Sequence, residues 1–206
     1  MRAPALVAVG IAVIAIALLS GCAGGGATTP NGSDAPTDSS PDPDPGPTDT
    51  PIDAAFTMPA DCRSMLPQER VDSFEAQGLI LLGGPGGVYG EDYLLDPTPE
   101  EAAGGITCIW GDELVPESTV TISVAPLRAD TRSGIVEELI GEGLTETPLD
   151  DAITYSRVGD EVSSPAIINV LRHDSWISVI EALGGEAFME EALTISDEVA
   201  STVHAD

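Results

Sequence analysis

Short segments in which hydrophobic residues are continuous or alternate with polar ones predict most of the β-structure of this chain. Ile106, Cys108 and Trp110 fall on one face by a period of two, and segment 119–124 alternates in the same way. Two further apolar segments flank residues 172–175 and predict a hairpin that turns there. The predicted strands are 79–82, 106–110, 119–124, 153–158, 166–171 and 176–182.

Helical signals lie between and after these strands. A helix of about ten residues is expected after Cys62, with Pro67 in its first turn. Thr98-Pro99-Glu100-Glu101 reads as a capping box that opens a short helix. Helical spacing also marks 135–140 and a C-terminal stripe from Phe188 to Val203, which we expect to be core. This order predicts an α+β domain with a mainly antiparallel sheet and helices packed largely on one face.

The N-terminus predicts export and lipid anchoring. Arg2 precedes an apolar run that ends at Leu19 and is about 15 residues long, short for a bilayer span of about 20 and suited to a secretory signal. Leu19-Ser20-Gly21-Cys22 follows and resembles the lipobox of bacterial lipoproteins. We therefore expect residues 1–21 to be a lipoprotein signal peptide and Cys22 to be the lipid-attachment site.

The rest of the chain divides into a linker and one domain. After the lipidated Cys22, the segment 22–60 is rich in Pro, Asp and Thr and is expected to be disordered, because it buries too little apolar area. Residues 61–206 are expected to form a single globular domain. Cys62 and Cys108 remain as an even pair in an oxidising compartment, so a disulfide between them is predicted.

The net charge and the absence of known motifs argue against nucleic-acid binding, nucleotide binding and common types of hydrolase. The chain has 35 acidic and 7 basic residues, a formal net charge of −28, and no lysine, which makes nucleic acid a poor partner. The loop 83–90 is glycine-rich but does not lead into an apolar helix, as a dinucleotide fingerprint requires. The motifs GxSxG, HExxH and SxxK are absent from the sequence. His173 is expected to be a solvated turn residue and His204 to lie near the chain end, so no catalytic, cofactor-binding or metal-binding residue is predicted.

A family resemblance rests on the lipobox, the linker, the helix opened by Cys62-Arg63-Ser64-Met65-Leu66 and the Cys108-Ile109-Trp110 strand. The Thr119–Val124 strand, the hairpin containing Trp176 and the terminal helix complete it. In layout the chain resembles the small secreted lipoproteins of high-GC Gram-positive (actinobacterial) bacteria, such as the DUF3558-type group. The resemblance implies a cell-envelope domain and brings no catalytic residues with it.

These observations lead to a functional expectation. The chain is expected to be a lipoprotein on the extracytoplasmic face of the membrane, with a non-enzymatic ligand-binding or accessory domain and no cofactor. It meets the membrane through its lipid only, and its partner is a small-molecule ligand or another envelope protein. The ligand is expected between sheet and helices or in a cleft roofed by the loop 83–90. The alternatives are an acidic protein-interaction module and, third, an extracytoplasmic hydrolase.

Overall fold

The computed structural model describes residues 55–205. The predicted signal peptide, the lipid-attachment site Cys22 and the linker up to residue 54 lie outside the described residues. Within residues 55–205, the helices are α1 (Gln68–Ala76), α2 (Pro99–Ala102), α3 (Arg132–Gly141) and α4 (Glu186–Val203), with a single 3₁₀ turn at Glu91–Tyr93. The strands are β1 (Ile80–Gly83), β2 (Ile106–Asp112), β3 (Val115–Pro126), β4 (Thr145–Pro148), β5 (Ile153–Arg157), β6 (Ala166–Leu171) and β7 (Ser175–Glu181).

The seven strands form one antiparallel sheet in the order β1-β2-β3-β7-β6-β5-β4. Two meanders, β1-β2-β3 and β4-β5-β6-β7, meet where β3 pairs with β7. The hairpin β6–β7 turns where the sequence predicted. The predicted α+β class and the antiparallel sheet are therefore confirmed.

Helices α1 and α4, which contain most of the helical residues, cover one face of the sheet. Their apolar side chains, such as Phe74 and Ile195, join one buried cluster with Trp110, Ile122 and Val179 from the strands. α4 contacts β6 and β7 along this face. The spacing of apolar residues in α4 therefore reflects packing on the sheet, as predicted.

The opposite face of the sheet has a smaller core beneath α3. Leu139 of α3 is buried there with Tyr155 and Trp176, and Ile135 packs against them. The short helix α2 contacts β2 and β3. Its capping box is present, because Thr98 Oγ1 accepts from the amide of Glu101 at 3.2 Å and the Glu101 carboxylate accepts from the amide of Thr98 at 2.9 Å.

The predicted disulfide joins Cys62 to Cys108, with Cα atoms 5.5 Å apart. It lies in the same core cluster as Trp110, which is fully buried beside Phe74, with ring centroids 5.3 Å apart. Gly84 has a positive φ of 96°, and a Cβ there would lie 2.1 Å from the carbonyl oxygen of Thr107 and 2.8 Å from Cys62 Sγ. A glycine is therefore required where this loop passes the disulfide.

Residues that precede the predicted start of the domain at Asp61 already form hydrogen bonds with it. The amide of Phe56 donates to the Asp174 carboxylate at 2.9 Å, and the amide of Thr57 donates to the carbonyl of Val203 at 2.8 Å. The chain thus joins the domain beside the C-terminal end of α4.

Removing the disulfide tests its contribution to stability. The bond spans 46 residues, which corresponds to about 4 kcal/mol of loop-closure entropy. We expect the double substitution Cys62→Ala and Cys108→Ala to lower the free energy of unfolding by about 3–4 kcal/mol in urea denaturation. An unchanged unfolding midpoint in the double variant would contradict this expectation.

Candidate functional site

A cleft of about 560 Å³ lies between α1, the N-terminal part of α4 and the adjoining ends of β3 and β7. We call it the α1–α4 cleft. Its apolar walls include Phe74, Val120 and Phe188. Glu181, the last residue of β7, is 5% exposed and contributes to its lining from the sheet, whereas the exposed Glu117 of β3 lies at its mouth. The cleft has the size of ordinary ligand sites, which are about 300–1,000 Å³.

Arg70 of α1 holds the two helices together beside this cleft. Its Nε donates to Glu198 Oε2 at 2.6 Å and its Nη2 donates to Glu198 Oε1 at 2.9 Å, which makes a bidentate pair with α4. Its Nη1 donates to Glu191, also on α4. The Arg70 side chain is 9% exposed, and its hydrogen bonds to Glu198 raise its pKa despite burial. All three nitrogens of the guanidinium are thus engaged by α4.

Glu181 is the unusual residue of the cleft. Its Oε1 is buried and has no hydrogen-bond partner. Burial, together with the nearby Glu191 carboxylate, raises the pKa of Glu181 to about 7, although Arg70 opposes this shift. Buried polar atoms are normally hydrogen-bonded, so an unpaired carboxylate oxygen in a cleft requires a functional explanation.

The α2–α3 cavity, of about 160 Å³, lies on the opposite face of the sheet. Under it, polar residues from neighbouring strands stand in register across the sheet. Thr107 and Ser123 share a hydrogen bond of 2.9 Å between their hydroxyls. The residues of this row are Thr107, Ser123, Ser178, Asn169 and Tyr155.

The polar groups of this second cavity are largely bonded to one another. Trp176 Nε1 donates to Asn169 Oδ1 at 2.8 Å. Burial raises the pKa of Glu100, and hydrogen bonds from Ser178 and Thr98 oppose this effect. Because these groups have partners and the volume is below that of most ligand sites, the α1–α4 cleft is the stronger candidate.

The glycine-rich loop does not form a phosphate cradle. The amide of Gly84 donates to the carbonyl of Gly90 at 2.9 Å, and that of Gly87 donates to Gly84 at 2.9 Å. The amides of Val88 and Tyr89 donate back to β1 at 3.0 and 2.8 Å. A phosphate site needs free amides that converge on the ligand, whereas these amides are used within the protein.

Asp174 and Ser175 follow His173 at the turn between β6 and β7, as the sequence showed, but the histidine that contacts them is His204, which the sequence did not suggest. His173 is exposed as expected, but Ser175 is fully buried and His204 lies against it. His204 Nε2 is 3.2 Å from Ser175 Oγ and 3.4 Å from Asp174 Oδ1, whereas Nδ1 faces the carbonyl of Ala200 at 3.0 Å. In a catalytic triad the serine and the acid occupy opposite ring nitrogens, so this cluster is not arranged as one.

Sequence reasoning missed Glu181, although its signal was present. Ile177 and Val179 face the α1–α4 core, and the period of two places Glu181 on the same inward face. The buried Arg70 was also missed, because its partners Glu191 and Glu198 lie on α4, more than 100 residues away in the sequence. Of the predicted site residues, Cys62 and Cys108 are brought together by the structure, and Cys22 lies outside the described residues.

Residues 55–205 contain no group of three or more His, Cys, Asp or Glu side chains that would hold a metal ion. None of the helices within that range is long and apolar enough to cross a membrane.

Comparison with protein-family models, curated proteins and solved structures gave no match to the chain.

The raised pKa of Glu181 predicts how the free energy of unfolding depends on pH. Its pKa rises from 4.5 to about 7 on folding, so between these values the folded state binds a proton that the unfolded state has lost. Stability should therefore fall as pH rises through this window, by roughly 3 kcal/mol for this group. Glu191 and Arg70, which also line the cleft, shift this pKa in opposite directions, because the Glu191 carboxylate raises it and the Arg70 guanidinium lowers it.

The substitution Glu181→Gln isolates this contribution. We expect the difference in unfolding free energy, wild type minus variant, to fall between about pH 5 and about pH 8 in urea denaturation. A difference that stays flat over this range would contradict the assignment of a buried, unpaired carboxylate at position 181.

Proposed function

We propose that this protein is a lipid-anchored lipoprotein of the cell envelope whose domain binds a small-molecule ligand in the α1–α4 cleft without chemical turnover. The lipobox-like sequence that ends at Cys22 supports export and anchoring. The disulfide suits an oxidising compartment outside the cytoplasm. The resemblance to small actinobacterial lipoproteins supports the same location.

The observation that carries the binding role is the buried Glu181 carboxylate, whose Oε1 has no hydrogen-bond partner, in the lining of a cleft that combines polar and apolar side chains. Ligand sites typically combine apolar walls with a few polar groups that fix orientation. An empty acceptor at such depth destabilises the domain, and a bound donor would remove that penalty.

A binding role is favoured over hydrolysis because of what lines the cleft. Its lining includes no histidine or cysteine among the described residues. Arg70 is engaged by Glu191 and Glu198, so it is not free to stabilise a developing negative charge. The serines in the lining already have protein partners, because Ser118 Oγ donates to the carbonyl of Val115 at 2.7 Å and Ser73 Oγ accepts from Gln77 Nε2 at 3.2 Å.

Native mass spectrometry of the full chain, purified from the envelope of the cells that produce it, tests this proposal. We expect a discrete extra mass on the folded protein. The matched control is Ala187→Trp, which places a bulky side chain at an exposed position of the cleft lining and should abolish the extra mass. A bare mass for the wild-type chain, or an extra mass that the variant retains, would contradict binding in the cleft.

Membrane attachment gives a separate prediction. We expect Cys22→Ser to move the protein from the membrane fraction to the soluble fraction, because the thioether-linked lipid can no longer form. Fractionation followed by immunoblotting measures this, and Ser40→Ala, a substitution in the predicted linker that leaves every cysteine in place, serves as the control. Retention of the Cys22→Ser variant in membranes would show that another segment holds the protein there.

A second candidate function is interaction with a basic envelope protein, which the net charge of −28 favours. Such a complex would weaken steeply as ionic strength rises, because exposed charges are screened. A partner that crosslinks to the wild-type chain at low salt and is lost at high salt would support this candidate over the cleft.

A further inference from the structure

The α1–α4 cleft has an excess of negative charge that its one cation does not balance. Glu117, Glu181 and Glu191 line it together with Arg70. Arg70 donates to Glu191 and, in a bidentate pair, to Glu198, so two carboxylates already neutralise it. Among the described residues, neither Glu181 nor Glu117 takes part in an ion pair.

The buried carboxylate of Glu181 limits which kind of ligand group can pair with it. When Glu181 is ionised, its carboxylate can only accept hydrogen bonds, and no group among the described residues donates to Oε1. An N–H or O–H donor would satisfy the hydrogen bond, and a positive charge would also compensate the buried negative one. An anionic ligand would instead meet three carboxylates and no free arginine.

A bare metal ion fits the cleft poorly. Hard cations require several oxygen ligands converging on one point, whereas Glu181 is the only deeply buried carboxylate in the cleft. Phe188 provides the aromatic wall of the cleft, whereas Phe74 is 2% exposed and has the Arg70 guanidinium over its ring, 5.6 Å from the ring centroid. Aromatic walls suit an apolar body and also attract an organic cation through the ring faces.

We propose that the α1–α4 cleft binds a small organic cation, whose N–H donor group, an ammonium or guanidinium, pairs with Glu181 and whose apolar body packs against Phe188. This proposal rests on the ligand-binding function proposed above and names the ligand class for the same cleft. Glu117 at the mouth adds a second negative charge that draws the cation in.

Three probes with one aromatic body and different charge test the proposal. They are phenethylamine, phenethyl alcohol and hydrocinnamate, which present a cation, a neutral hydroxyl and an anion. The full chain in a non-ionic detergent is titrated with each by calorimetry at about pH 8, where Glu181 is mainly ionised. We expect the amine to bind about tenfold or more tightly than the alcohol, and the anion not to bind detectably.

Matched variants assign the effect to one carboxylate. Glu181→Gln should weaken amine binding by about tenfold or more, since it removes the buried charge while keeping the side-chain shape. Glu117→Gln removes the same charge at the mouth and should weaken binding by less than about threefold. Ala187→Trp should prevent binding by filling the cleft, and thermal unfolding confirms that each variant is folded.

The possible outcomes separate this proposal from the binding function itself. Equal binding of the alcohol and the amine, or an amine affinity that Glu181→Gln leaves unchanged, would overturn the cation proposal while leaving a ligand-binding cleft. Absence of binding by all three probes to the folded wild-type chain would also overturn it. The extra mass expected in native mass spectrometry tests the binding function independently of these probes.

Discussion

The bidentate hydrogen bonding of Arg70 to Glu198, with Glu191 as the third partner, is the constraint on which the cleft depends. It fixes α1 against α4 at a point where both helices also pack on the sheet through their apolar faces. Arginine suits this position because its planar guanidinium satisfies two carboxylates at once and stays charged when nearly buried. Without that charge, Glu191 and Glu198 would repel each other and Glu181 beneath them. The same pair therefore sets the spacing of the helices and the electrostatics of the space between them.

Both faces of the sheet are covered by helices and both bury polar side chains. The two faces differ in how these side chains are hydrogen-bonded. On the α3 side, buried polar residues stand in one row across the strands, and hydrogen bonds join Thr107 to Ser123 and Trp176 to Asn169. On the α1–α4 side, Glu181 faces inward at the end of β7 without a hydrogen-bond donor. Hydrogen-bonded polar residues serve the fold, whereas the unpaired acceptor of Glu181 beside a cleft supports the ligand-binding role proposed above.

Local sequence patterns predicted most elements of this fold, because the strands and helices carry their own periodicities. The capping box at Thr98 and the hairpin ending at Leu171 and Ser175 are examples in which short-range chemistry decides the structure. β4 was missed because all four of its residues are exposed, which leaves no burial pattern to detect. The pairing of β3 with β7, and with it the position of Glu181 beneath α4, is a long-range property that no local pattern contains. The site therefore became visible only when α1 and α4 were placed side by side.

The N-terminal segment of the described residues and the α1–α4 cleft lie at opposite ends of α4. Phe56 and Thr57 attach beside Val203, at the C-terminal end of α4, whereas Ala187 and Phe188 line the cleft at the N-terminal end. With 18 residues at 1.5 Å each, α4 is about 27 Å long. Phe56 and Thr57 are thus fixed at the opposite end of α4 from Ala187 and Phe188, so this segment leaves the lining of the cleft uncovered.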